Sequence, residues 1–249
     1  TRALPLWGAV ILAAIGNFLG VFIFGVAVAT TIAKGLVDPE IVTVYVILGG
    51  LVGSILWVYF ATYKGLPISA SHSLIGGFIG AAFAKAGGGS LQFAGIFKVL
   101  IFIVAAPVLG MIGGFIFFAL IMWIFRRADP KKINKWFRRL QLISAASYSI
   151  THGANDAQKT MGLIAILLFS SGFLGEEFFV PFWVIIMSYT VISLGTLAGG
   201  WNVIKTMGMS LTKLRPVHGF CAESAGSLVL ALTSITGIPV STTHVIAGS

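Results

Sequence analysis

Charge is what this 249-residue chain has least of: Asp, Glu, Lys and Arg make up 9% of it. A soluble domain carries about 25%, so too few charges are present to coat a surface facing water. Carboxylates are scarcer still, seven against sixteen Lys and Arg. The single cysteine, Cys221, excludes an internal disulfide and, lacking a CxxC partner, reads as a small packing residue. No GxSxG elbow is present, which removes the serine-hydrolase reading. Without a nucleophile–base spacing, an intramembrane enzyme is disfavoured too. The four histidines, His72, His152, His218 and His244, include no pair at helical ligand spacing, so no metal site is read from them.

What replaces charge is hydrocarbon: 57% hydrophobic residues and a mean hydropathy of +1.01. Charge-free runs cover 3–33, 41–63, 99–125, 178–204 and 224–249. About 20 predominantly apolar residues cross a bilayer as a helix, and the period-two alternation of a membrane barrel is missing. The sequence predicts an all-α polytopic membrane protein. The net charge of +9 invites a nucleic-acid partner, but its distribution refuses one. Seven of the sixteen cations lie in 126–139, RRADPKKINKWFRR, beside one acid, Asp129. Short basic connections mark the cytoplasmic side of membrane proteins. Residues 126–139 are therefore expected as a cytoplasmic loop between membrane segments 1–125 and 140–249, in a plasma or inner membrane. Lys205, Lys213 and Arg215 form a weaker basic connection, expected on the same side.

An internal repeat is legible. Residues 65–76 read GLPISASHSLIG and residues 237–248 read GIPVSTTHVIAG, so Gly, Pro, Ser, His and Gly recur at an offset of 172. Proline suits a first helical turn. Ser69 and Ser71, or Ser241, Thr242 and Thr243, place hydroxyls beside the unpaired N–H groups of that turn. Such a terminus carries a partial positive charge and free donors, the ingredients of an anion site; the plain alternative is N-capping. His72 and His244 recur together, which predicts a shared hydrogen-bonding role. Each unit is expected as a re-entrant half-helix hairpin, with Gly87–Gly89 turning the chain after the first.

Residues 151–162, THGANDAQKTMG, set Asn155, Asp156, Gln158 and Lys159 inside an apolar context. Gly153 and Asn155 are weak helix formers, which predicts a membrane helix unwound at its centre, the usual seat of substrate and coupling ions in secondary transporters. An acid within a membrane segment is by default functional. Asp156 and Asn155 offer hard oxygen ligands for Na⁺, Asp156 could instead carry a proton, and Lys159 either pairs with Asp156 or faces an anion. Glu223 and Asn17 are further polar candidates in apolar surroundings. If each half carries both elements, a twin of GAND is expected about sixteen residues before Thr1, and the second hairpin is expected to continue past Ser249.

HGANDAQKTMG together with the paired PISASH and PVSTTH resembles the inorganic phosphate transporter (PiT) family, across essentially the whole chain. The resemblance implies an inverted-repeat fold and cation-coupled phosphate symport. It places Asn155 and Asp156 in the signature for phosphate and sodium. It puts Ser69, Ser71, Ser241, Thr242 and Thr243 on the tips that hold the anion; Gln158, Lys159, His72 and His244 are the residues expected around them, with Glu223 either lining the same centre or lying near the membrane surface. The family's first GAND-type signature is not among these residues, and Ala70 stands where the second copy has Thr242. No Arg lies within the apolar runs, so helix starts, hydroxyls and co-bound cations are left to hold the anion. The expected partners are inorganic phosphate, Na⁺ or H⁺, and the bilayer; a homo-oligomer is compatible, and no cofactor is expected beyond Na⁺ as coupling ion. Proton-coupled phosphate or sulfate symport and a passive anion channel are the alternatives.

Overall fold

The computed structural model describes residues 3–206 and 214–249, and the backbone there is helix joined by short turns. Among the described residues the one strand-like feature is an isolated bridge between Val37 and Leu91. Helix α1 spans Leu6–Leu19; after a 3-10 turn at Gly20–Phe22 the chain bends by 81° into α2, Ala27–Gly35. Helices α3 (Val44–Lys64) and α4 (Ala70–Ala86) form an antiparallel hairpin, in which Gly50 lies against Phe78 and the Ser54 hydroxyl donates to the Ser73 carbonyl. The chain turns at Gly87 (φ 70°), as the glycine run predicts, and enters α5, Phe93–Ile124. Then come α6 (Pro130–Ser170), α7 (Phe182–Ala198), the short α8 (Trp201–Lys205), α9 (Pro216–Ile235) and α10 (Thr242–Gly248). Helices α3 and α5 are each long and apolar enough to span a bilayer alone, with mean hydropathies of 2.0 and 2.6.

Helix α6 is the central element, with α1, α2, α7 and α9 packed along it. At 41 residues it is roughly 60 Å long, about twice the hydrocarbon thickness. Two expectations fail here. The basic stretch 126–139 is not a loop: from Pro130 onward it is the amphipathic beginning of α6. There Phe137 is buried against Ile121, Val217 and Cys221. Nor is the helix unwound at THGANDAQKTMG; residues 151–162 are helical throughout. Gly153 serves close packing instead. A Cβ there would collide with the backbone of Asn17, and one on Gly16 would collide with Ser149, so both glycines let α1 cross α6 at backbone distance.

The break lies in the first charge-free run, between Gly20 and Ala27. A helix start buried in apolar surroundings needs an acceptor for its free N–H groups. Gln158 supplies it from α6: its side-chain oxygen accepts from the backbone N–H of Val28 (2.9 Å) and Ala29 (3.4 Å).

The sequence repeat folds into repeated local geometry. Gly65 (φ 71°) and Gly237 (φ 69°) take the left-handed conformation that favours glycine after a helix. The next amide donates five residues back in both copies, Leu66 to Ala61 and Ile238 to Thr233. Ser69 and Ser241 then cap α4 and α10 with nearly the same backbone angles, accepting from the N–H of His72 and His244. Prediction: Gly153→Ala lowers the melting temperature in detergent, an overpacking loss of about 1–3 kcal/mol. Gly195→Ala, at a helical glycine with open space around its Cβ position, leaves the melting temperature unchanged or raises it.

Candidate functional site

Side chains three and four positions apart share one face of a helix. His152, Asp156 and Lys159 therefore line one strip of α6, and onto that strip converge the starts of α4 and α10. The Lys159 ammonium is buried, with 1% of the residue exposed, and all three of its protons are engaged. It donates to Asp156 Oδ1 (2.6 Å), to Ser71 Oγ (2.7 Å) and to the Val240 carbonyl (2.6 Å). Asp156 answers with both oxygens. Oδ1 also accepts from the Ser71 hydroxyl (3.3 Å); Oδ2 accepts from the Thr242 hydroxyl (3.1 Å) and lies 3.2 Å from His152 Nε2. One ion pair thus ties both hairpin tips to the middle of α6.

The tips do not contribute equivalent hydroxyls. By the repeat offset Ser71 corresponds to Thr243, yet Asp156 takes Thr242, whose counterpart is Ala70. Thr243 is left half-buried, with no side-chain hydrogen bond among the described residues. The Ser69 and Ser241 oxygens accept from the His72 and His244 amides (3.1 and 3.2 Å), and each hydroxyl keeps its own proton to donate. The first backbone amides of each helix have no intrahelical partner, as at any helix start. The rings of His72 and His244 meet edge to face at 4.8 Å between centroids, which sets the two tips against each other.

Asn155 is fully buried; its amide donates to Ser234 (3.3 Å), while its Oδ1 has no hydrogen-bond partner. Gln158 turns away to cap α2. Glu223 does not join the cluster. It accepts from the Ser144 hydroxyl (2.6 Å), about three turns along α9 from Ser234. There it lines a separate cavity of about 360 Å³ with Gln141 and residues of α1.

His152, Thr196 and Tyr148 were not assigned to the site by motif reasoning. His152 Nδ1 lies 2.9 Å from Asn17 Oδ1, and Asn17 Nδ2 donates to Thr196 (2.8 Å). The Thr196 hydroxyl is itself donated to the Ile192 carbonyl, so its oxygen accepts from Asn17 Nδ2 and Asn17 Oδ1 is turned toward His152. Tyr148 donates to the Thr242 carbonyl (3.0 Å), bracing the second tip. The signal for His152 was its spacing of four from Asp156, which puts both on one face of α6. For Tyr148 no sequence signal existed. His218 stacks on Phe118 away from the site, and Lys213 falls outside the described residues.

Chemically, the arrangement is a buried charge pair between two helix starts rich in hydroxyl and amide donors, with an unfilled amide oxygen beside it. Among the described residues no three or more His, Cys, Asp and Glu side chains gather into a group of metal ligands.

Known proteins share both the sequence and the fold. The model of the phosphate transporter family matches residues 1–133 and 125–249, which together cover the chain. A probable low-affinity inorganic phosphate transporter of Rhizobium meliloti is 47% identical over 249 residues, spanning all of this chain and 75% of that protein. One of Bacillus subtilis is 40% identical over 251 residues with the same coverages. A solved structure described as the sodium-dependent phosphate transporter superposes with a TM-score of 0.89 at 26% identity, covering 99% of this chain and 80% of that one. With the whole chain matched by the family model and an all-helical fold shared with a solved phosphate transporter, this protein is an integral membrane member of the phosphate transporter family.

Proposed function

We propose that the protein moves inorganic phosphate across the membrane together with Na⁺, by alternating access around the Asp156 centre. The observation that carries this reading is the convergence of the two hydroxyl-bearing helix starts on the buried Asp156–Lys159 pair. A phosphate seated there would take the amides that open α4 and α10 and the hydroxyls of Ser69, Ser71, Ser241, Thr242 and Thr243. Helix starts and preorganised donors favour an anion even without arginine. The anion would also lie close to the Asp156 carboxylate, whose charge Lys159 offsets only once. A further cation is needed before phosphate can enter a low-dielectric centre, and this is the physical reason for coupling. Asn155 Oδ1, a buried acceptor without a donor, and Asp156 are the oxygens we assign to Na⁺. The structural relative is a sodium-dependent phosphate transporter, which supports the sodium version.

Proton coupling has its own support, the His152 Nε2 contact with Asp156 Oδ2, where a proton would serve as the added charge. The basic segment 126–139 is placed on the cytoplasmic side of a plasma or inner membrane by the positive-inside rule.

Three measurements test these assignments. In proteoliposomes at constant pH, phosphate uptake should rise with Na⁺ over choline; uptake indifferent to Na⁺ and driven by acid pH would transfer the role to protons. Asp156→Asn should abolish concentrative uptake, whereas retained flux would indicate a channel. The same change leaves a buried ammonium unpaired, about 3–5 kcal/mol of stability, so the D156N/K159M double variant should melt above D156N alone. Finally, Thr243→Val should raise the KM for phosphate about tenfold, the worth of one hydrogen bond to a charged group. It should leave the melting temperature unaltered, since the hydroxyl bonds nothing among the described residues.

A further inference from the structure

Two basic segments far apart in the chain meet at one cavity. Asn134, Lys135 and Arg138, on the first turns of α6, and Arg215 and Pro216, where α9 begins, line a space of about 660 Å³. Lys135, Arg138 and Arg215 are all exposed, and among the described residues no carboxylate lines the cavity. Orientation by the positive-inside rule needs only a count of cations in a short connection. It gives no reason to gather three of them around one hollow, where they repel each other. An anion between them reverses the sign of that interaction.

The surroundings indicate which anion. Trp136, 66% exposed, follows Lys135 directly and lines a neighbouring cavity of about 300 Å³ with Lys132, Lys135 and Arg139. Trp123, near the end of α5, is 67% exposed. Tryptophan in such numbers beside apolar helix ends belongs to the headgroup level of a bilayer. On the opposite face of the same turns, Phe137 is locked into the protein against Val217 and Cys221, so the α6 and α9 walls of the cavity are held rigidly together.

We propose that this cavity binds a phosphate group, supplied by an acidic phospholipid at the membrane surface. Arg138 and Arg215 form its two guanidinium walls and Lys135 adds a point charge. Arginine recognises phosphate oxygens in paired, planar geometry. The site lies at the outer end of α6, away from Asp156, and stands whether or not the transport assignments above hold. Free inorganic phosphate offers the same chemistry, so the test separates the two sources.

The purified protein in detergent would be titrated with phosphatidylglycerol or phosphatidylcholine and the bound lipid counted by native mass spectrometry. Basic residues at a membrane surface contribute about 1 kcal/mol each, roughly fivefold in affinity. R138A/R215A should therefore lose about 25-fold in phosphatidylglycerol affinity. R126A/R127A, which removes the same charge on the same side without touching the cavity, should lose little, and phosphatidylcholine should bind both alike. Equal losses in the two variants, or none in R138A/R215A, would overturn the lipid site. Radiolabelled phosphate binding supplies the second arm. A second phosphate per chain that disappears in R138A/R215A, with lipid binding unchanged, assigns the cavity to the free ion. If neither ligand responds to R138A/R215A, the phosphate site itself is refuted.

Discussion

The Asp156–Lys159 pair is the constraint on which the rest of the centre depends. A buried ammonium in a membrane protein must have its charge offset and its three protons accepted. Lys159 meets that demand only by drawing on three separate elements: Asp156 of its own helix, Ser71 of the first tip and the Val240 carbonyl of the second. The hairpins are therefore held at the middle of α6 by charge, with hydroxyls as intermediaries. On the proposed function, an anion entering the centre would compete for these hydroxyls, and its occupancy would be coupled to how tightly the tips are held. This coupling of binding to tip position is the kind of element alternating access requires.

Around the pair, each polar group of the motif has taken a distinct structural task. Gln158 satisfies the start of α2, which makes the 81° bend tolerable. Asn155 reaches α9 through Ser234, and His152 reaches α1 through Asn17. A short run of polar residues on one helix can address five neighbouring helices because successive positions point about 100° apart around the axis. The cost of burying so many polar groups is offset as long as nearly all of them find partners. Within the motif the exceptions among the described residues are Asn155 Oδ1 and Gln158 Nε2.

Much of this was legible in the sequence, for identifiable reasons. Charge-free runs reveal membrane helices because a bilayer accepts little else. The Ser69 and Ser241 caps follow from local chemistry, a hydroxyl three residues before an amide that needs an acceptor. The turn at Gly87 is equally local. The expected unwinding of α6 did not occur, because local preference was outweighed by packing. Gly153 and Asn155 looked like helix breakers, but propensity amounts to under about 1 kcal/mol per residue. Against that, the close crossing of α1 on α6 rewards a glycine, and the helix runs unbroken through 151–162. The break fell instead at 20–26, where nothing in the local sequence announced that a glutamine 130 residues later would cap the new helix start.

The sequence by itself determined the class of fold, the two capped helix starts and the list of polar residues at stake. These depend on composition, on periodicity and on neighbours within a few positions. The tertiary structure alone decided which of those residues meet. It paired Ser71 with Thr242 rather than with its repeat counterpart Thr243, brought His152 and Tyr148 in, and left Glu223 in a cavity of its own. The reason is that a buried charge accepts whatever donor the packing of distant helices delivers within about 3 Å. That distance is set by helix crossings, not by order along the chain.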